Sequence, residues 1–155
     1  SQDVNADGVP DECQCVADFV SDGVVDFQEV LAVLNDRRLE GCFDPETSRA
    51  EVSLAGSVEL GGNRRPVLGI IDRLAVFEDR VVVMDYKTGG RTPATAEDVP
   101  TVYQRQMALY CEVLKTIYPN RRVEAWLIWT GGAAPVILTL DEELLSRSLE
   151  TLAPV

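Results

Sequence analysis

Histidine is absent from the 155-residue sequence. This absence excludes mechanisms that depend on imidazole, including Ser-His-Asp catalysis, zinc binding through histidine and histidine-based pH sensing. Aromatic residues are also scarce, at 6%. No apolar run approaches the roughly 20 residues of a membrane-spanning helix, so we expect no membrane partner. The pattern GxxxxGK[ST] is absent as well, and the chain is therefore not expected to hydrolyse ATP itself.

Cysteine is limited to four residues, at positions 13, 15, 42 and 111. Their spacing does not match the C-x-x-C patterns of zinc and redox sites. Free thiols are the simpler interpretation, and a four-cysteine metal or iron–sulfur site is the alternative.

Acidic residues are concentrated at the N-terminus of the chain. The net charge is −12, and residues 1–30 hold eight acidic and no basic side chains. Residues 31–155 hold eighteen acidic and fourteen basic side chains, which leaves a net charge of −4. We therefore divide the chain into an acidic arm, residues 1–29, and one folded domain, residues 30–155. The arm should repel nucleic-acid phosphates, whereas the domain can carry a local basic patch.

Two stretches of the arm have the spacing of calcium-binding loops, in which oxygen ligands alternate along the chain and a glycine stands at position 6. They depart from that pattern at Val20, which takes position 3 of the second loop, and at Gln14, which takes position 12 of the first. The pair resembles dockerin-like or thrombospondin type 3-like repeats, which implies Ca²⁺ as a ligand. A solvated acidic tail with glycine turns is the alternative. The candidate calcium ligands are Asp3, Asn5, Asp7, Asp18, Asp22, Asp26 and Glu29.

Hydrophobic periodicity in the domain predicts an α/β (α+β) fold, with a mixed central β-sheet flanked by helices. A short helix is expected at 30–34, a long helix at 101–118 that Pro119 ends, and a last helix from the capping residue Asp141 to about Leu152. The predicted strands are residues 50–58, 67–77, 81–87, 123–130 and 135–140.

The turn at Glu78-Asp79 fixes a hairpin register in which residue i pairs with residue 157 − i. Asp72 then lies opposite Asp85, and directly opposed residues have Cβ atoms about 4.5–5.5 Å apart. Lys87 points to the same face as Asp85, because side chains alternate along a strand. Two carboxylates and a lysine can assist phosphodiester hydrolysis with a bound metal ion. A structural Asp–Lys–Asp ion cluster is the alternative interpretation.

Three motifs in order carry a resemblance to a known family: GIIDRL at 69–74, VVVMDYKT at 81–88 and QMALY at 106–110. Together they resemble the PD-(D/E)XK nuclease superfamily, and within it the RecB-type nuclease domain of the AddA helicase–nucleases. The resemblance covers roughly residues 30–155 and implies a restriction-endonuclease-like core.

The resemblance also implies roles for individual residues. Asp72 and Asp85 would bind Mg²⁺ or Mn²⁺, helped by the backbone carbonyl of Tyr86, and Lys87 would be the catalytic lysine. Gln106 and Tyr110, one helical turn apart, would brace the site or contact DNA. Core packing is the simpler interpretation of Tyr110.

Further candidates lie around these motifs. Glu51, on the preceding strand, is a candidate metal ligand or an exposed strand glutamate. The candidate DNA contacts are Arg73, Arg105 and Thr88, and solvation at the surface is the alternative for the arginines.

One departure from the family is the missing histidine, because RecB-type domains usually begin with a helix whose histidine also binds the metal. We therefore expect a metal site one ligand short, in a domain that is a fragment, a fusion or a degenerate nuclease truncated at that helix. The function that the resemblance implies is a Mg²⁺-dependent deoxyribonuclease domain, exonucleolytic on single strands, in a cytoplasmic helicase–nuclease of double-strand-break repair and recombination. Its expected partners are DNA and a helicase domain or partner subunit. The alternative is a catalytically inactive nuclease fold used for interaction, or a calcium-binding protein-interaction module.

Overall fold

The computed structural model describes residues 27–88, 91–130 and 134–152, without the side chain of Phe27. Three α-helices and five β-strands make up this part of the chain, together with 3-10 turns at Arg37–Leu39 and Ala96–Asp98. None of the described helices is both long and apolar enough to span a membrane. The elements are α1 (Phe27–Leu34), β1 (Ser48–Leu60), β2 (Asn63–Val76), β3 (Arg80–Thr88), α2 (Thr101–Ile117), β4 (Arg122–Thr130), β5 (Val136–Leu140) and α3 (Glu142–Glu150).

The five strands form one mixed sheet in the order β1-β2-β3-β4-β5. Strands β1, β2 and β3 pair antiparallel, β3 and β4 pair parallel, and β5 returns antiparallel to β4. The parallel pair requires a crossover connection, and α2 supplies it. The predicted mixed sheet with flanking helices is therefore confirmed, and it matches a restriction-endonuclease-like fold.

Strand β3 is buried on both faces, because helices α2 and α3 pack on one face while α1 and the first 3-10 turn pack on the other. Residues 81–85 are each at most 4% exposed. We call the side under α2 and α3 the site face. Its core includes Val81 and Val83 of β3, whereas Val82 and Met84 pack on the opposite face. This alternation places Asp85 and Lys87 on the site face.

The element boundaries differ from the sequence predictions mainly at the hairpin between β1 and β2. That hairpin is longer than predicted, since β1 runs to Leu60 and β2 begins at Asn63. Helix α3 ends at Glu150 rather than near Leu152, and the predicted N-terminal cap is present because Asp141 accepts a hydrogen bond from Leu144 N at 2.8 Å.

The predicted calcium loops lie outside the described residues, except for Glu29. Glu29 belongs to α1 and is 5% exposed. Helix α1 begins at Phe27 and so crosses the predicted boundary between the arm and the domain at residues 29 and 30. The division into an arm and a domain, and calcium binding by the arm, stay predictions.

Candidate functional site

The hairpin of β2 and β3 has the register that the sequence predicts. Arg73 pairs with Met84, and Phe77 N donates to Arg80 O at 2.8 Å across the turn. The next position in this register brings Asp72 opposite Asp85. The Asp72 carboxylate also reaches β3, because its Oδ2 atom accepts a hydrogen bond from Tyr86 N at 2.8 Å.

Asp85 is a carboxylate held almost out of water, with 4% of its surface exposed. Burial raises the pKa of Asp85 above its usual value, because removing water penalises the charged form, and the charge of Asp72 adds to that rise. The ammonium of Lys87 opposes the shift by forming an ion pair with Asp85 Oδ2. The two carboxylates are therefore close enough to repel each other, and a cation between them would relieve that repulsion.

Lys87 is held from three sides. Its Nζ atom contacts Asp85 and lies 3.4 Å from Gln106 Oε1. It also lies 4.1 Å from the centre of the Tyr103 ring, a cation–π geometry. The Tyr103 ring meets the ring of Trp129 edge-on, at a centroid distance of 6.2 Å. The lysine therefore has a fixed place beside the carboxylate.

A chain of polar contacts joins Lys87 to the hairpin of β1 and β2. Gln106 Nε2 donates to the Tyr110 hydroxyl at 3.4 Å, and that hydroxyl donates to Ile70 O at 3.3 Å. Gly69 makes this contact sterically feasible, because a Cβ atom there would lie 2.7 Å from two Tyr110 ring carbons. Tyr110 is 7% exposed and also belongs to the core, so packing and site support coincide in one side chain.

Glu51 interrupts strand β1 opposite Asp72. Its neighbours Ala50 and Val52 pair with Arg73 and Ile71, but Glu51 has a φ of 51°. Positive φ is uncommon for a residue with a side chain. The site-face positions of β2 change here from odd to even residue numbers, as the core positions Val67, Ile71 and Leu74 demonstrate. The irregularity therefore lies in the strand pair that carries the first carboxylate.

The candidate DNA contacts do not converge on one place. Arg73 lies on the face opposite the site, where it donates to Ser48 Oγ at 3.0 Å and stacks 5.0 Å from the centre of the Phe43 ring. Arg105 lies on α2 and donates to Thr151 Oγ1 at 2.9 Å. Thr88 is exposed at the end of β3. Only Arg105 and Thr88 are thus placed where a strand entering the site could meet them.

The site residues fit a hard divalent cation. Such ions prefer carboxylate and carbonyl oxygens and keep several waters. The Oδ2 atom of Asp85 is buried and, apart from its ion pair with Lys87, has no aligned hydrogen-bond donor among the described residues. An oxygen in that position retains a lone pair for a metal ion. The part of the chain that the structure describes holds no group of three or more cysteine and carboxylate side chains arranged to bind metal, so the cation would rely on Asp72, Asp85, backbone and water.

Sequence reasoning missed Tyr103 and Trp129. Tyr103 lies three residues before Gln106 and therefore on the same side of α2, which is a signal that the sequence offered. Trp129 gave no local signal, because it reaches the site only through the parallel pairing of β4, in which it pairs with Lys87.

Comparison with known proteins places this geometry in a family. The model of the PD-(D/E)XK nuclease superfamily matches residues 24–149, which is most of the chain. The matched segment includes the carboxylates of β2 and β3, Lys87 and all of α2.

Curated relatives share the central part of the chain. The AddA protein of the ATP-dependent helicase/nuclease from Streptococcus equi subsp. zooepidemicus (strain MGCS10565) is 46% identical over 76 residues, which are 49% of this chain and 6% of that protein. The protein of the same name from Lactococcus lactis subsp. lactis (strain IL1403) is 32% identical over 96 residues, 61% of this chain and 8% of that protein. The chain thus matches only a small part of these relatives. A solved structure, that of SSO0001, aligns with 78% of this chain and 55% of its own at 18% identity and a TM-score of 0.41.

Proposed function

The chain belongs to the PD-(D/E)XK nuclease superfamily, and we propose that it hydrolyses phosphodiester bonds of DNA with a divalent metal ion. The observation that carries this proposal is the convergence of Asp72, Asp85 and Lys87 at one end of the β2–β3 hairpin. Two carboxylates on adjacent strands and a lysine braced beside them are suited to this chemistry and have no evident need in a purely structural domain.

The carboxylates of Asp72 and Asp85 would hold Mg²⁺ or Mn²⁺, together with the carbonyl of Tyr86. A cation bound there lowers the pKa of a water ligand and stabilises charge that develops on the phosphate. The buried position of Asp85 favours this role, because electrostatic interactions are stronger away from bulk water. Glu51, opposite Asp72 in the register of β1 and β2, is the candidate for a third carboxylate ligand.

Lys87 would orient the attacking water or stabilise charge on the phosphate oxygens. Its ammonium is already fixed by contacts to Asp85, Gln106 and Tyr103, so little rearrangement is needed when DNA binds. Gln106 is in turn held by Tyr110. We propose Gln106 and Tyr110 as residues that position Lys87.

The relatives support a wider setting for this activity. AddA proteins of ATP-dependent helicase/nucleases match the chain over 76 to 96 residues. We propose that the chain is the nuclease domain of such a helicase–nuclease in DNA repair, with exonucleolytic action on single strands. Its partner would be a helicase domain or a helicase-bearing subunit. A cytoplasmic location is part of this proposal, because the proposed DNA substrate of a bacterial repair enzyme lies there.

A cleavage assay with a matched pair of variants tests the proposal. The 155-residue chain is incubated with end-labelled single-stranded DNA and Mg²⁺ or Mn²⁺, as the native protein, as Asp85→Asn and as Asp79→Asn. Asp79 lies in the exposed turn at the other end of the same hairpin and serves as the control. We expect cleavage by the native chain and the control, and a loss of roughly a hundredfold or more in Asp85→Asn.

Absence of metal-dependent cleavage in the folded native chain would contradict the proposal. That result would favour the other candidate, a nuclease fold that has lost catalysis and serves as an interaction domain. The missing histidine is the observation that keeps this second candidate in view.

A further inference from the structure

An open groove runs between the β1–β2 hairpin and helix α2 and ends beside Gln106 and Tyr110. Its volume is about 740 Å³, within the range of about 300–1,000 Å³ that is usual for ligand sites. Gln106 contacts Lys87. The groove therefore leads directly to the proposed active site.

The walls of the groove are mainly apolar and partly exposed. The hairpin contributes Val58, Leu60 and Leu68, and α2 contributes Val102 and Leu109. Leu68 is 80% exposed and Val102 is 64% exposed. Apolar side chains exposed side by side along a cleft commonly mark a binding surface.

The charged side chains in the groove are all positive. They are Arg65 on the hairpin and Arg105 on α2, and no acidic residue of the described chain lines the groove. Within the described part of the chain, neither arginine forms an ion pair, although the chain as a whole has a net charge of −12. The groove thus combines apolar walls with unneutralised cations, which is complementary to a polyanion with apolar parts.

We propose that this groove binds one unpaired strand of DNA and guides it to Lys87. Sugars and unstacked bases would lie against the apolar walls, while Arg65 and Arg105 would hold phosphates. A duplex fits less well, because its bases are stacked and paired inside the helix and cannot cover apolar walls. This inference rests on the proposed nuclease function and adds to it a substrate class and a path.

Binding is measured by fluorescence anisotropy with a fluorescein-labelled oligothymidylate, in chelator so that no cleavage occurs. The first pair of variants is Val102→Glu and Ile117→Glu. Both residues are exposed aliphatic side chains on α2, at 64% and 51%, but only Val102 lines the groove. An acidic residue in the first turn of a helix is favourable, so helix destabilisation is not a reason for Val102→Glu to lose binding.

A second set of variants tests the arginines. Arg65→Ala and Arg105→Ala are compared with Arg37→Ala, an exposed arginine of the first 3-10 turn, outside the groove. Loss of one charge-assisted contact to phosphate should weaken binding roughly tenfold. Each loss should also reduce the slope of log affinity against log salt by about 0.7.

The proposal predicts weaker binding of the oligothymidylate in Val102→Glu, Arg65→Ala and Arg105→Ala, and native binding in Ile117→Glu and Arg37→Ala. Equal affinity in all five variants would overturn it, and with cleavage intact would favour a protein segment as the occupant. Tighter binding of a matched duplex by the native chain would also overturn it. Intact, groove-dependent binding without metal-dependent cleavage would support the groove and contradict the proposed nuclease activity.

Discussion

Lys87 and Tyr103 form a cation–π contact, with the ammonium nitrogen 4.1 Å from the ring centre. The contact joins the end of β3 to the first turn of α2 and fixes the proposed catalytic lysine from the side away from Asp85. Since Tyr103 itself rests against Trp129, the aromatic pair supports the lysine without supplying a titratable group in the range of catalysis.

Replacement of Tyr103 by leucine should reduce the rate of DNA cleavage several-fold without abolishing it, because a cation–π contact contributes about 0.5–2 kcal/mol. The ring, not the hydroxyl, faces Lys87, so Tyr103→Phe should restore the native rate. Steady-state kinetics should locate the change in kcat more than in KM. Equal losses in the leucine and phenylalanine variants would contradict this role for the ring.

Divalent metal should stabilise the native chain against heat. A ligand that binds only the folded state at about a hundredfold over its Kd adds about 2.7 kcal/mol to the free energy of unfolding. Differential scanning fluorimetry with increasing Mg²⁺ or Mn²⁺ measures this as a rise in Tm. We expect the rise in the native chain and in Asp79→Asn, but not in Asp72→Asn. The same rise in all three proteins would place the metal elsewhere.

Glu51 provides a test of strain in the strand pair at the site. Because its φ is 51°, Glu51→Gly should leave stability unchanged or raise it by up to about 1 kcal/mol. Cleavage should nevertheless fall if the carboxylate assists the metal, and Glu51→Gln should lower cleavage with no gain in stability. Urea unfolding and the cleavage assay give the two quantities. Full activity in Glu51→Gly would remove Glu51 from the site.

Gly69 should not tolerate a side chain. A Cβ atom there would lie 2.7 Å from Tyr110 ring carbons that are buried in the core. We expect Gly69→Ala to lower the free energy of unfolding by about 1–3 kcal/mol, as overpacked cores do, and to reduce cleavage through displacement of Tyr110. Leu68→Ala, at the exposed neighbouring position, is the control and should have a small effect on stability.

Cys111 should be unreactive in the folded protein. It is 1% exposed, and burial raises the pKa of its thiol to about 12. Burial also raises the pKa of the Cys42 thiol. The thiolate is the reactive form, so iodoacetamide at a pH of about 8 should label these two cysteines only after denaturation. Peptide mapping by mass spectrometry checks this, and rapid labelling of Cys111 in the native chain would contradict its packing.

The sequence by itself determined the elements and the register that carry the proposed site. The turn at Glu78-Asp79 and the alternation along β3 sufficed to place Asp72 opposite Asp85, with Lys87 on the same face. The three motifs sufficed to identify the superfamily, which the family comparison confirms. These features are accessible because they depend on local periodicity and on turns, which are properties of neighbouring residues.

Tertiary structure alone decided which distant side chains meet. The parallel pairing of β3 with β4 brings Trp129 beside Lys87, and the break at Glu51 changes the face of β1 and β2. Arg73, grouped with the DNA contacts by sequence, lies over Phe43 on the other face of the sheet. Such relationships depend on strand order and on packing between residues far apart in sequence, and local periodicity does not encode either of them.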